Sequence, residues 1–314
     1  MLKTVRSALV SGATGFIGSA LVQRLSVEGI SAFCLVRPAS AGRARISNLP
    51  GVKLLETENY ESSTLAQKLS GIRTDVVFNL ASAGVAPEER DPHLLLTGNL
   101  NVVAGLIAAT SAWPLRKFIH VGSCSEYAPA SEGHKLTEQD LLQPTSLYGA
   151  AKACAHIYGL AFARSRGLPF VTLRLFGVFG VGEAPNRLVP YLMSHLRRDV
   201  PVDLTPGEQA RDLLYVDDIV EALLQGAQSE GVTVGSTYNV CSGKGTRIRE
   251  LSEEVARAMN KPKSLLRFGD RPYRADESMW IVGDNSQFSA CTSWTPKVSI
   301  EEGIRKMVFR SGIA

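Results

Sequence analysis

The segment that most constrains this chain is Ser11-Gly12-Ala13-Thr14-Gly15-Phe16-Ile17-Gly18, set between a strand-like run, Ala8 to Ser11, and a helix-like run, Phe16 to Glu28. Glycines spaced G-x-x-G-x-x-G at that junction allow a tight turn. They also let backbone N–H groups approach a pyrophosphate and let the helix pack close to the sheet. The helix N-terminus favours the negative charge. The competing reading is a purely structural turn, and position directly after the first strand weighs against it. Gly12, Thr14, Gly15, Phe16, Ile17 and Gly18 are therefore the expected cradle of a dinucleotide.

Strand-like and helix-like segments alternate onward, the pattern of βαβ units and a parallel sheet. Ala32 to Val36, Asp75 to Ala81, Lys117 to Gly122 and Phe170 to Leu175 read as strands; Asn99 to Thr110 and Tyr148 to Arg166 read as helices. Beyond about Gly180 prolines and glycines interrupt the rhythm. The expectation is a doubly wound α/β sheet domain over 1–178 and a smaller mixed lobe over 179–314, some of which returns to the first domain. A mean hydropathy of +0.03 with 20% charged residues excludes disorder, and 314 residues bury a core without staples.

The 5 cysteines are scattered with no C-x-x-C spacing, so neither a disulfide framework nor a metal site is expected. A net charge of +4 without any basic cluster argues against nucleic acid and suits a small anion. No apolar run reaches membrane length, and Met1 to Arg6 lead straight into a strand without a signal-like segment. A cytoplasmic protein without membrane partners is expected.

At the end of the second strand, an acid pairs with a ribose 2′-hydroxyl, whereas an arginine accommodates a 2′-phosphate. From Gly29 to Leu55 there is no Asp or Glu, while Arg37 ends the strand and Ser40, Arg43 and Arg45 follow. A solvated basic loop is one reading; a pocket for NADP(H) in preference to NAD(H), through Arg37 with Ser40 or Arg43, is the other.

Tyr148 and Lys152, four apart in a helix-like segment, share one face. A phenol with a pKa near 10 beside an ammonium is a proton donor or acceptor that the charge biases toward phenolate. Ser123, at the end of an apolar strand, supplies a hydroxyl for a carbonyl oxygen.

With GATGFIG at 12–18, NLAS at 79–82, GSCSEY at 122–127, YGAAK at 148–152, LRLFGVFG at 173–180, RDLLYVDD at 211–218 and SWTPKVSIEEGI at 293–304, the chain resembles the extended short-chain dehydrogenase/reductase family. The branch is that of the nucleotide-sugar epimerases, dehydratases and reductases. The resemblance implies a Rossmann-like doubly wound parallel sheet with a smaller mixed C-terminal substrate lobe. It implies Ser123, Tyr148 and Lys152 as catalytic triad, Ala81 and Asn99 beside the cofactor, and a nucleotide-diphosphate sugar as substrate. Arg187, Arg211 and Arg274 fall in segments that contact the diphosphate, although a salt bridge of Arg211 with adjoining Asp212 competes. A homodimer through the helices at about 99–111 and 148–166 is implied too, with Ala151, Ala155, Tyr158 and Phe162 as an apolar stripe.

Departures from the family pattern refine the reading. Dehydratases of this branch carry acids at the two positions after the triad hydroxyl; here these are Cys124 and Ser125. Glu126 lies one further, where alternation along an extended segment sends it to another side. Gly177 replaces a usual asparagine, and Glu58 stands for an adenine-contacting aspartate. The expected activity is NADPH-dependent reduction of a 4-keto nucleotide-sugar, with a C4 epimerase as alternative and a non-catalytic NADP sensor as a third.

Overall fold

The computed structural model describes residues 5–85, 89, 91–274 and 277–310. Its centre is a seven-stranded, wholly parallel sheet in the order β10-β6-β5-β4-β1-β2-β3. These strands are β1 (Ser7–Ser11), β2 (Ser31–Val36), β3 (Val52–Glu56), β4 (Val76–Asn79), β5 (Lys117–Ser123), β6 (Phe170–Leu175) and β10 (Thr237–Val240). Both faces are covered, so the strands read as apolar runs whose alternate residues enter opposite cores. Val10, Phe78 and Ile119 join the core under helices α1 (Phe16–Val27) and α6 (Val216–Gln228). Leu9, Val77 and Phe118 join the core under α2 (Ser62–Lys68), α3 (Pro92–Thr110) and α4 (Leu147–Ser165).

β3, α2 and the first turns of α3 are elements that sequence pattern did not reveal. Asp91 starts α3 by accepting from the N–H groups of His93 and Leu94, with Pro92 at the first helical position. A π turn at Thr97–Asn101 then interrupts it. α3 has the length and hydropathy of a membrane span, but it serves as a core helix, burying Val103, Leu106 and Ile107 against the sheet.

The second lobe gathers the short strands β7 (Gly177–Phe179), β8 (Val202–Leu204), β9 (Ala210–Tyr215), β11 (Gly245–Arg247), β12 (Leu266–Phe268) and β13 (Trp280–Ile281). β9 is flanked by β11 and β13 and also pairs with β7, while β12 pairs with β8. Helices α5 (Leu188–Leu196), α7 (Ile248–Ala258) and α9 (Ile300–Arg310) close a separate core around Leu192, Leu251 and Ile304. α8 (Ser286–Thr292) and the ring of Trp294 return to the sheet domain, where Phe288 and Trp294 pack edge to face. The chain after residue 178 is thus shared between lobes, since β10 and α6 complete the large sheet. The strand order reverses between β1 and β4, where doubly wound sheets open a crevice at the carboxyl ends.

Candidate active site

The glycine loop leaves β1 at that crevice. Gly12 has φ +69°, and a Cβ there would sit 2.6 Å from the Ala81 nitrogen. A Cβ on Gly18 would lie 2.1 Å from the Gly12 carbonyl oxygen, so α1 abuts the loop only because residue 18 is glycine. Gly15 caps α1 with no side chain of its own across the first turn's N–H groups. These gaps and free donors fit a dinucleotide pyrophosphate. The segment after β2 folds onto the loop: Ser40 Oγ donates to Thr14 Oγ1 at 2.6 Å, and Gly42 is so close that a Cβ would meet the Thr14 oxygen. Arg37 stands exposed at the strand end.

The expected helpers of Arg37 divide. Arg43 pairs with Glu56 on β3 in an exposed ion pair, and Arg45 donates to the Gly182 carbonyl. The phenol of Tyr60 reaches the Gly12 backbone near Arg37, where burial pushes it up to about 12. No sequence signal pointed to Tyr60.

A cavity of about 520 Å³ runs from the loop's Phe16 and Ile17 to the second lobe and is lined by Ser123, Tyr148 and Lys152. The three side chains sequence analysis selected are therefore brought together. Ser123 ends β5, and its Oγ accepts the Ser125 N–H at 3.1 Å, which leaves its own O–H to donate into the cavity. Ser146 caps α4 by accepting from Gly149 N–H, setting Tyr148 in the first turn. The Tyr148 phenol lies against the hydroxyls of Ser123 and Ser82.

The expected bias toward phenolate is not what this geometry gives. Burial raises the Tyr148 phenol above its ordinary value, and hydrogen bonding with the Ser123 and Ser82 hydroxyls only opposes this. Lys152 Nζ donates to the Val121 carbonyl at 2.6 Å, and burial lowers its pKa to about 8.

Asn99 does not line the cavity. Its amide nitrogen donates to the carbonyls of Leu95 and Ala83, at 2.8 and 3.1 Å, and its oxygen accepts from Ser82 Oγ at 2.9 Å. The π turn aims it there, so it braces the 81–84 segment. Ala81 N–H in turn faces Ser11 Oγ at 3.4 Å.

From the second lobe, Arg187, Arg211 and Arg274 line the same cavity. Arg211 is committed to Glu277, not to Asp212. Asp212 instead accepts from the backbone N–H groups of Ser242, Gly243 and Gly283. Arg187 Nε stands 3.6 Å from Glu183, whose burial pushes its carboxyl up to about 7. Arg274 forms no ion pair among the described residues and is exposed.

Glu126 stays off the cavity side, as expected, though a turn and not strand alternation puts it there. Cys124–Glu126 is a 3₁₀ turn, which folds the carboxylate back beneath Ser123, away from the cavity lining. His120 is buried, with Nδ1 3.1 Å from the Asn79 amide nitrogen, and burial depresses its pKa. No group of residues able to hold a metal occurs among the described residues.

A family model described as the NAD dependent epimerase/dehydratase family matches residues 8–241. The chain is similar to CDP-abequose synthase of Salmonella typhimurium, 26% identical across 96% of this chain and 97% of that protein. It is 24% identical to the trifunctional UDP-glucose 4,6-dehydratase/UDP-4-keto-6-deoxy-D-glucose 3,5-epimerase/UDP-4-keto-L-rhamnose-reductase of Arabidopsis thaliana. That match covers 96% of this chain but 46% of the plant protein, so the chain spans about half its length. Among solved structures, UDP-glucose 4-epimerase from Thermotoga maritima with UDP-glucose superposes with a TM-score of 0.88. It is 26% identical, over 98% of this chain and 100% of that one.

Proposed function

This chain belongs to the NAD-dependent epimerase/dehydratase family, and from that footing we propose that it reduces a keto nucleotide-sugar at C4 with NADPH. The observation that carries the reading is geometric: the Tyr148 phenol lies against the Ser123 hydroxyl in the cavity, where its desolvation favours the neutral, proton-donating form. Reduction of a carbonyl needs a proton donor, whereas the first step of an epimerase removes a proton from a hydroxyl and needs the phenolate. The chain's similarity to enzymes of nucleotide-sugars supports a nucleotide-sugar as substrate. A dehydratase lacks support, because Cys124, next to Ser123, is held by burial at about 12 and Ser125 does not ionise usefully.

Gly12, Thr14, Gly15 and Gly18 with the N-terminus of α1 would hold the pyrophosphate, and Arg37 with Ser40 the 2′-phosphate. The bound nicotinamide would supply the hydride. Ser123 donates its O–H to the carbonyl oxygen, polarising it, while its oxygen accepts the Ser125 N–H. Tyr148 gives its phenolic proton to the same oxygen, completing the alcohol. Lys152, carried one turn along α4, holds the floor through Val121 and presents a cation below about pH 8. Arg187 and Arg274 meet the diphosphate; Arg211 does so only by sharing or leaving Glu277.

Tyr148→Phe tests the assignment. Loss of the acid should lower kcat by roughly 10²- to 10⁴-fold with NADPH binding retained. Turnover within about threefold of wild type would remove Tyr148 from the chemistry.

A further inference from the structure

We propose that Glu126 is the positioning residue of this site, setting the Ser123 hydroxyl against Tyr148 from beneath. The proposal rests on the reductase reading and adds to it a residue that neither touches substrate nor lines the cavity. Ser123 is the last residue of β5, and the ladder to β4 has already ended at His120 opposite Asn79. Its buried N–H needs an acceptor, and Glu126 Oε1 provides one at 2.7 Å. The side-chain oxygen of Ser123 is fixed from the other end of the same turn by Ser125 N–H. Main chain and side chain of Ser123 are thereby both pinned, leaving its proton as the free element.

The other carboxylate oxygen is tied to the rest of the site. Arg174 Nε, on β6, donates to Oε2 at 2.8 Å, and His156 Nδ1 lies 3.1 Å from it. His156 sits one turn beyond Lys152 on α4, and its Nε2 is 3.0 Å from Thr237 Oγ1 on β10. Arg174 Nη1 donates to the Tyr127 phenol, which donates to Asn239 Oδ1 on β10 at 2.7 Å. One carboxylate thus links the strand that carries Ser123, the helix that carries Tyr148 and Lys152, and two neighbouring strands. Burial alone would raise this carboxyl, but His156 and Arg174 bring it to about 2, so it stays an acceptor at working pH.

Gly122 supplies an independent sign that the carboxylate's place is built. A Cβ at residue 122 would lie 2.6 Å from Glu126 Oε1. The glycine of GSCSEY leaves room for that oxygen under the strand, a requirement separate from any backbone angle.

A structural ion pair that only neutralises Arg174 is the rival explanation, and moving the carboxylate separates the two. In Glu126→Leu with His156→Glu, the helix supplies a carboxylate to Arg174, whose Nη2 is 2.9 Å from residue 156, while Ser123 N–H loses its acceptor. The expected result is a folded protein with NADPH affinity and KM within about threefold of wild type, but kcat lower by roughly 10²-fold, as for a misplaced catalytic group. Its crystal structure should show the Ser123 hydroxyl displaced from the Tyr148 phenol by more than about 0.5 Å. Wild-type kcat with Ser123 in place would overturn the proposal. If the double variant does not fold, Gly122→Ala displaces the carboxylate while keeping its charge, and the same split of kcat from KM is expected; an unchanged kcat would count against it. Should wild-type protein reduce no keto nucleotide-sugar, the reductase reading fails, and the crystal comparison still decides whether Glu126 positions Ser123.

Discussion

At the scale of single residues, types and spacings were readable in the sequence, but partners were not. Tyr148, Lys152 and Ser123 converge because a helix face and a strand end are local facts. The pairing of Arg43 with Glu56 could not be foreseen, because Glu56 lies on a strand that pattern did not reveal. Arg211 was weighed against its neighbour Asp212, yet the ion pair spans 66 positions to Glu277. Arg37 keeps an exposed guanidinium at the end of β2, beside the turn that Ser40 ties to Thr14. Charge-assisted contact with a 2′-phosphate contributes roughly 1.5–3 kcal/mol. Arg37→Ala should therefore raise the dissociation constant for NADPH about tenfold to a hundredfold and leave NADH nearly unchanged. Equal weakening of both in a fluorescence titration would assign Arg37 to the surface alone.

Elements with a strong period were legible, and weak ones were not. β6 and the central helices stand where the apolar pattern puts them, whereas β8, β11, β12 and β13 have two or three residues each and offer no period to detect. The turn at 124–126 is too short for a pattern, so Glu126 was expected off the cavity side through strand alternation, whereas a 3₁₀ turn takes it there. Of the apolar stripe expected on α4, Ala151 and Ala155 face the core, while Tyr158 is half exposed. The contact between α1 and the glycine loop gives a prediction at this scale. Gly18→Ala would drive a methyl against the Gly12 carbonyl, backbone that cannot turn aside. Overpacking of this kind costs about 1–3 kcal/mol, and α1 would relieve it by moving away from the loop. Chemical denaturation should show that loss together with NADPH binding weakened by about tenfold or more. Wild-type affinity in Gly18→Ala would mean that the close approach of α1 does not shape the cofactor cradle.

The whole molecule is a sheet that presents one crevice and a second lobe that roofs it, and the cavity between holds residues from both. That arrangement followed from the alternating pattern and the late prolines and glycines; which late segments rejoin the sheet did not, because β10 has a four-residue strand's signal and its neighbour β6 lies far back in the chain. Outside the cavity, α4 leaves Leu147, Ile157 and Tyr158 half exposed at 52%, 56% and 49%. By resemblance to the family, we propose a homodimer that covers this face, so light scattering at micromolar concentration should give twice the 33.8 kDa chain mass, and Ile157→Asp should give the chain mass. A wild-type monomer would remove the proposal.

The central claim is a net reduction with Tyr148 as proton donor, and the most direct measurement is stoichiometry. Purified protein, NADPH and a 4-keto nucleotide-sugar are mixed, absorbance at the nicotinamide band is followed, and the product is identified by mass. One NADPH should be consumed per sugar reduced, giving a product two hydrogens heavier than the substrate. Interconversion of nucleotide-sugars with no net change in NADPH would contradict it and assign the same residues to an epimerase.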